Sequence, residues 1–451
     1  MLFKSQRNKH QQYLIQLPKI SQSVVGFSTL FSPLDFRSRL LEKISSATYR
    51  IYILALYLEN DEGGQEIFSA LYAAKKQKPN LDICVLVDWH RAKRCRIGTH
   101  VGMTNADWYY LMANKNPNDS VPVYGIPVHN REAWGVFHLK GSIIDDTVLY
   151  SGASFNNAYL HQKDTYRYDR YQCLNNRVLA DTMLQWIQKN LLKDKAVHRI
   201  DQGNCSSRSD IKNCTRKLRR ALRQCHYQFQ SNGQYEALSI TPLLGLGKHS
   251  ALNKAIHHFM LSTQYVLMIC TPYFNLPAIL ARNILFLLRQ GKIIEIIVGD
   301  KTANDFYTPR DQPFTLIGVL PYLYEINLRS FLSRLQNYIN IGQLIVRVWM
   351  HGKNSYHLKG LWVDDEWMML TGSNLNPRSW RLDLENAILV HDPLQQLAQQ
   401  RFNELKVIRQ HTVFIKNYQD LESISDYPKP VRKCIRRLRS MHIDQLILRL
   451  L

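Results

Sequence analysis

One short pattern occurs twice in the chain, 219 residues apart. The first copy is His138-Leu139-Lys140-Gly141-Ser142-Ile143-Ile144-Asp145-Asp146 and the second is His357-Leu358-Lys359-Gly360-Leu361-Trp362-Val363-Asp364-Asp365. Both read H-x-K, four residues, then D. Both run on into a Gly/Ser/Asn tail, Gly152-Ala153-Ser154-Phe155-Asn156 and Gly372-Ser373-Asn374-Leu375-Asn376. A single H-x-K-x4-D arises by chance in a chain this long at roughly a few per cent, so one copy carries little weight. Two copies with the same tail, one in each half, point to an internal duplication.

The spacing has a chemical reading. Alternate side chains of a β-strand share a face, so His and Lys two apart point the same way. The apolar residues that follow continue a strand buried on both sides. An imidazole and an ammonium therefore stand together where a strand leaves a core. Lysine brings three donors and a positive charge suited to phosphate oxygens. Histidine can be nucleophile or proton carrier near neutral pH. A single copy would also fit a core histidine beside a surface lysine, but a packing accident has no reason to repeat with its tail.

The duplicated H-x-K-x4-D resembles the signature of the phospholipase D superfamily. The resemblance goes further, through Asp88-Trp89-His90-Arg91-Ala92, Thr271-Pro272-Tyr273-Phe274-Asn275-Leu276-Pro277 and Trp380-Arg381-Leu382-Asp383-Leu384-Glu385-Asn386. Over essentially the whole chain it is similar to the Gram-negative CDP-diacylglycerol–serine O-phosphatidyltransferases. That resemblance implies an α/β fold of two similar phospholipase D-like domains. Each would be a mixed, mainly parallel sheet flanked by helices, and the two would form one pseudo-twofold active site.

The order of apolar stretches agrees. Helices are expected at Asp35–Ser46, Gln65–Gln77, Ala106–Ala113 and Ala180–Leu192, with strands at Ile51–Leu58, Leu81–Val87 and Val121–Tyr124. The second half repeats the alternation. Its helices are expected at Ser250–Leu261, Leu276–Gln290, Pro321–Tyr338 and Pro393–His411, and its strands at Tyr265–Cys270, Ile293–Val298 and Leu344–Trp349. The expected division is 1–200 for the first domain with a polar N-terminal arm, 201–236 for a basic linker helix, 237–415 for the second domain and 416–451 for a basic amphipathic segment. In the linker, Ile211, Leu218, Leu222, Cys225 and Phe229 line one side of a helix, and Arg216, Lys217, Arg219, Arg220 and Arg223 the other. The C-terminal segment interleaves Lys429, Arg432, Lys433, Arg436, Arg437 and Arg439 with Ile435, Leu438, Ile443, Leu446, Ile447 and Leu450. This composition suits a helix lying on an anionic lipid surface.

Lys and Arg total 58 against 36 Asp and Glu, a net charge of +22. Such a surface attracts anionic phospholipid membranes and also fits non-specific binding of polyanions or nucleic acid. None of the 8 cysteines forms a C-x-x-C pair, and no Cys/His cluster has zinc spacing. No apolar run approaches the roughly 20 residues of a membrane span, and Met1–Lys9 has no signal-peptide core. The expectation is a cytoplasmic protein attached peripherally to the inner face of the cytoplasmic membrane, with no cofactor and no metal.

Phosphoryl transfer needs a nucleophile, a proton for the leaving group and positive charge around the phosphoryl oxygens. Two His and two Lys supply all three. The resemblance implies that His138 is the nucleophile, that His357 is the general acid/base, and that Lys140 and Lys359 hold the phosphate. It also implies an acidic residue downstream of each motif that orients an imidazole: Asp169, 31 residues beyond His138, and Glu385, 28 residues beyond His357. Asp145 and Asp364 complete the candidate catalytic set, although a carboxylate facing phosphate would repel it and a structural role fits them better. Candidate substrate contacts are Asn156, either Asn374 or Asn376 in the second tail, and Arg91 beyond a strand end. The implied activity is transfer of a phosphatidyl group from CDP-diacylglycerol to L-serine through a phosphohistidine. The alternatives are a phospholipase D or cardiolipin synthase using the same site, a nucleic-acid phosphodiesterase, and a binding protein with a dead site. Intact His/Lys pairs in both copies disfavour the last.

Overall fold

In the computed structural model, which describes residues 9–94, 102–203 and 208–450, the two halves repeat one topology. The first sheet has the strand order His198–Arg199, Val123–Ile126, Asp82–Asp88, Arg50–Leu54, Ser142–Ile144, Thr147–Ser151, Tyr171–Asn175, Phe27–Leu30. The second runs Thr412–Phe414, Leu344–Trp349, Ile293–Gly299, Val266–Thr271, Gly360–Val363, Trp367–Thr371, Leu384–His391, Ser239–Leu246 in the matching positions. Matching helices are capped alike. Ser32 accepts the Asp35 amide at the start of Pro33–Ser46, and Ser250 accepts the Asn253 amide at the start of Ala251–Leu261.

The sheets are mixed, but the parallel part is smaller than expected. Within the two large sheets, among the described residues, only the three strands Arg50–Leu54, Asp82–Asp88 and Val123–Ile126, and their counterparts, pair in parallel; the other neighbours are antiparallel. The cause lies in the repeated motif. After its first strand the chain turns back at once through Asp145-Asp146 or Asp364-Asp365 as a tight hairpin. Asp145 (φ 50°) and Asp364 (φ 51°) take the left-handed conformation that such turns demand.

Three further differences concern the connections. The N-terminal arm packs on the second half, because Leu14 of the helix Lys9–Gln16 enters that half's core and Ile20 pairs with Ile240 at the edge of its sheet. The long helix expected at Pro321–Tyr338 is two, Leu320–Ser333 and Gln336–Asn340. The linker helix spans Arg208–Leu222. Leu218, Leu222, Cys225 and Phe229 join a core that contains strand residues of both sheets, which ties the halves together. The Ile211 side chain lies outside the described residues, as do Cys95 and Cys205. Among the described residues no helix is long and apolar enough to cross a membrane.

Candidate active site

The two motifs meet where the halves cross. Phe137 pairs in parallel with Leu384, and the His138 amide donates to the Leu384 carbonyl at 3.0 Å. In the other direction Ser355–Tyr356 pairs in parallel with Arg167–Tyr168, and the His357 amide donates to the Tyr168 carbonyl at 2.8 Å. Each histidine is thus delivered beside the acidic residue of the opposite half.

The side chains follow this crossing. His138 Nδ1 lies 2.9 Å from Glu385 Oε2, and His357 Nδ1 lies 3.2 Å from Asp169 Oδ2. Lys359 Nζ donates to Asp169 Oδ2 at 2.8 Å, and Lys140 Nζ to the Ala153 carbonyl and Ser154 Oγ at 3.2 Å. Asn386 fixes the first motif from across the interface, accepting the Lys140 amide and donating to its carbonyl, each at 2.9 Å. All six of His138, Lys140, His357, Lys359, Asp169 and Glu385 are buried.

Burial governs their charge. It pushes His138 well below the usual histidine range, helped by Lys140 and Lys359, and His357 down to about 4, helped by Lys359. Lys140 is pushed down to about 7 by burial and by the nearby Lys359 charge. Burial pushes Glu385 well up, with Asp383 adding repulsion. Burial also acts upward on Asp169, but Lys359 and His357 outweigh it and hold the carboxylate below its usual range. The arrangement is two neutral imidazoles and a dense set of donors, suited to an anionic group entering from outside.

The tail glycines make room for the opposite lysine. A Cβ on Gly152 would stand 2.6 Å from Lys359 Nζ and 2.8 Å from both Asp169 carboxylate oxygens. A Cβ on Gly372 would stand 2.7 Å from Lys140 Cγ. Counting from these glycines, Asn156 matches Asn376 rather than Asn374. Asn156 Oδ1 accepts the Tyr159 amide at 3.0 Å, and Asn376 Oδ1 the Ser379 amide at 2.8 Å. Both are turn caps. Asn156 also donates to Glu59 at 3.2 Å. Asn374 Oδ1 is buried with no hydrogen-bond partner, so of the two second-tail candidates it has the free polar atom.

Asp145 and Asp364 are corrected out of the reacting group. Asp145 accepts the amides of Thr48, Tyr49 and Arg50, and Asp364 those of Gln264, Tyr265 and Val266. The motif aspartate sits past the far end of its strand, where it ties the hairpin to the neighbouring strand. Arg91 is engaged by Glu132 at 2.9 Å, with Arg94 on the same carboxylate at 2.6 Å. Asp88, at the head of this loop, accepts the Phe137 amide at 2.8 Å and so positions the approach to His138. Sequence reasoning missed Tyr159, whose hydroxyl lies 2.8 Å from His357 Nδ1, and Asn386; each lies close to a residue already singled out, three beyond Asn156 and one beyond Glu385. Among the described residues no group of three or more His, Cys, Asp or Glu is placed to hold a metal ion.

Two crossed H-x-K pairs on duplicated mixed sheets define a phospholipase D-like phosphoryl-transfer protein. A family model described as "Cardiolipin synthase, PLD-like domain" matches residues 256–406. The chain is 61% identical to the CDP-diacylglycerol–serine O-phosphatidyltransferase PssA of Escherichia coli (strain K12), covering 100% of both chains. It is 46% identical to the enzyme of that name from Haemophilus influenzae, over 97% of each. The crystal structure of phosphatidylserine synthase from Haemophilus influenzae superposes with a TM-score of 0.96 at 45% identity, covering 99% of this chain and 100% of that one. The chain belongs to the CDP-diacylglycerol–serine O-phosphatidyltransferase family.

Proposed function

We propose that this protein transfers the phosphatidyl group of CDP-diacylglycerol to L-serine, giving phosphatidylserine and CMP, with His138 and His357 dividing the work. The observation that carries the division is the unlike surroundings of the two Nδ1 atoms. Among the described residues His138 Nδ1 meets only the Glu385 carboxyl, whose oxygen accepts from Nδ1–H and leaves the Nε2 lone pair free. His357 Nδ1 has three neighbours, the Tyr159 hydroxyl at 2.8 Å, the Lys359 ammonium and the Asp169 carboxylate at 3.2 Å; the carboxylate is held ionised and stabilises an imidazolium with its second proton on Nε2. The anionic pyrophosphate brings a proton onto His357 as it binds; His138 Nε2 then attacks the phosphatidyl phosphorus, the bond to the bridging oxygen breaks, and the His357 imidazolium gives its Nε2 proton to departing CMP and becomes neutral. His357 then takes the proton of the serine hydroxyl, whose oxygen attacks phosphorus and breaks the P–N bond. Lys140 and Lys359 stabilise the charge on the phosphoryl oxygens.

The same reading places the protein on an anionic phospholipid surface, since its lipid substrate keeps its tails in a bilayer. Part of the C-terminal segment expected to meet lipid is packed on the protein. Val431 and Ile435 of the helix Lys429–Ser440 are buried against Leu320, Tyr322 and Leu323, and Leu438 and Ile447 pack on the same cluster. Leu446 and Met441 remain exposed, as do Leu316 and Ile317 in the turn that packs beside this helix. Exposed Lys433, Arg436, Arg437 and Arg439 surround them. Incubating the protein with radiolabelled CDP-diacylglycerol, trapping by rapid denaturation and mapping the labelled peptide tests the division of roles. Label on His138 is expected; label on His357 alone overturns it. A lack of CMP and phosphatidylserine when serine is added overturns the activity.

A further inference from the structure

We propose that the ion pair of Arg167 and Asp305 is the recognition site for the charged head of the acceptor amino acid. Arg167 takes the α-carboxylate and Asp305 the α-ammonium. The proposal deepens the transferase reading and rests on His357 being the base that receives the acceptor proton.

The pair spans the crossing. Arg167 lies two residues before Asp169 in the first half, and Asp305 follows the strand Ile293–Gly299 of the second. Arg167 Nη2 and Asp305 Oδ1 are 2.8 Å apart. The guanidinium lies 4.6 Å from the centre of the Tyr159 ring, and the hydroxyl of that ring is bonded to His357. Arg167 Nε also reaches Ser355 Oγ at 3.4 Å, two residues before His357. The pair thus stands beside His357, joined to it through the buried Tyr159 ring and through Ser355.

The charged pair beside the opposite histidine is engaged differently. The residue matching Arg167, two before Glu385, is Asp383. It is consumed by the fold: it accepts the Val136 amide at 3.0 Å and the Arg378 guanidinium at 3.1 Å. Arg378 in turn donates to the Glu132 carbonyl at 2.7 Å. The arginines of the two pairs are similarly exposed, at 20% and 17%, but the acids differ: Asp383 is 7% exposed and holds backbone, whereas Asp305 is 18% exposed. A guanidinium has five N–H donors in a planar fork, more than Asp305 and Ser355 occupy, so it can accept a second carboxylate without releasing the first. A zwitterion lying antiparallel to the pair gives four alternating charges in a closed ring. An alcohol lacking either charge leaves one partner unmatched, which is the basis for discrimination between small polar acceptors.

The test uses the full chain in detergent mixed micelles with CDP-diacylglycerol and one of three acceptors: L-serine, ethanolamine, which lacks the carboxylate, and 3-hydroxypropanoate, which lacks the ammonium. Arg167→Gln is expected to raise the KM for L-serine about tenfold to a hundredfold, as loss of a charge-assisted contact does, and to erase the preference for serine over ethanolamine. Asp305→Asn is expected to erase the preference for serine over 3-hydroxypropanoate instead. Arg167→Lys and Asp305→Glu, which keep the charges, are expected to recover part of each preference, so that a fold lost in one variant does not decide the outcome. Exchange of labelled CMP into CDP-diacylglycerol uses no acceptor and reports the first half of the reaction. Preferences unchanged in both Arg167→Gln and Asp305→Asn, with exchange intact, overturn the assignment of this pair. Absence of exchange in the unaltered protein overturns the phosphohistidine route, and the acceptor preferences still decide the role of the pair.

Discussion

Glu385 holds His138 at 2.9 Å across 247 residues of chain, while Asp169 holds His357 at 3.2 Å in the reverse sense. Neither half contains a complete catalytic pair, so the site exists only when the halves are docked. The two carboxylates are not equivalent, however. Glu385 serves an imidazole, whereas Asp169 also neutralises the buried ammonium of Lys359.

Replacement of the two carboxylates is expected to separate these duties. Glu385→Gln should leave the fold intact and slow labelling of His138, because the amide cannot take charge from the imidazole during attack. Asp169→Asn leaves Lys359 fully buried without its counter-charge, which costs about 3–5 kcal/mol of stability. Thermal unfolding followed by circular dichroism distinguishes them. A Glu385→Gln variant that unfolds as readily as Asp169→Asn contradicts the distinction.

The tail glycines are expected to be intolerant of a single methyl group. In Gly152→Ala the new Cβ meets Lys359 Nζ and the Asp169 carboxylate, both fixed by their mutual bond, so the ion pair behind His357 must shift. Turnover should fall by about a hundredfold or more, the scale on which displacement of catalytic groups by about an ångström acts. Gly372→Ala meets the flexible stem of Lys140 and should cost less. Steady-state rates of the two variants, measured together, check the order, which the reverse result refutes.

Much of this was legible in the chain. The duplicated H-x-K-x4-D and the alternation of apolar stretches implied two related α/β halves with both histidines in one site. The crossing was not legible, because sequence order gives no sign of which acid, Asp169 or Glu385, faces which imidazole. That is decided by backbone pairing between segments such as Phe137 and Leu384. The hairpin role of Asp145 and Asp364 was half visible: electrostatics argued them away from phosphate, but their positive φ belongs to the folded turn. The packed side of the C-terminal segment was not legible for a related reason. An apolar stripe on a basic helix looks the same whether lipid or Tyr322 and Leu323 cover it.

Lys140 gives the reaction an expected pH dependence. Its ammonium, pushed down to about 7, is the form that stabilises phosphoryl charge, so that charge is lost as pH rises through that value. In the free enzyme kcat/KM for CDP-diacylglycerol should therefore decline above about pH 7. Bound pyrophosphate returns negative charge to the site and restores the ammonium, so the same limb in kcat should move to higher pH. Lys140→Arg, which stays charged, should lack the limb in whatever activity it retains. Profiles of kcat and kcat/KM that fall at the same pH, or a limb kept in Lys140→Arg, would assign it elsewhere.

The membrane contact is expected to lie in the exposed turn and the last helix together. Leu316 is 71% exposed, and Ile317 and Leu446 about half, which is unusual for three leucine-type side chains around one helix pair. They offer apolar area to the acyl boundary, while Lys433, Arg436, Arg437 and Arg439 meet anionic headgroups, each adding about 1 kcal/mol near the surface and less at high salt. The buried side of the helix Lys429–Ser440 carries Val431 and Ile435, so deleting the segment would uncover Leu320 and Tyr322 and damage the fold. Surface substitutions avoid that. Leu316→Ser with Ile317→Ser, and separately Arg436→Glu with Arg437→Glu, should release the protein from vesicles containing phosphatidylglycerol in a co-sedimentation assay. Turnover in detergent micelles should change little, while turnover of substrate in vesicles should fall. Binding that survives both pairs of substitutions would remove this surface and leave the exposed arginines of the helix Arg208–Leu222 as the attachment.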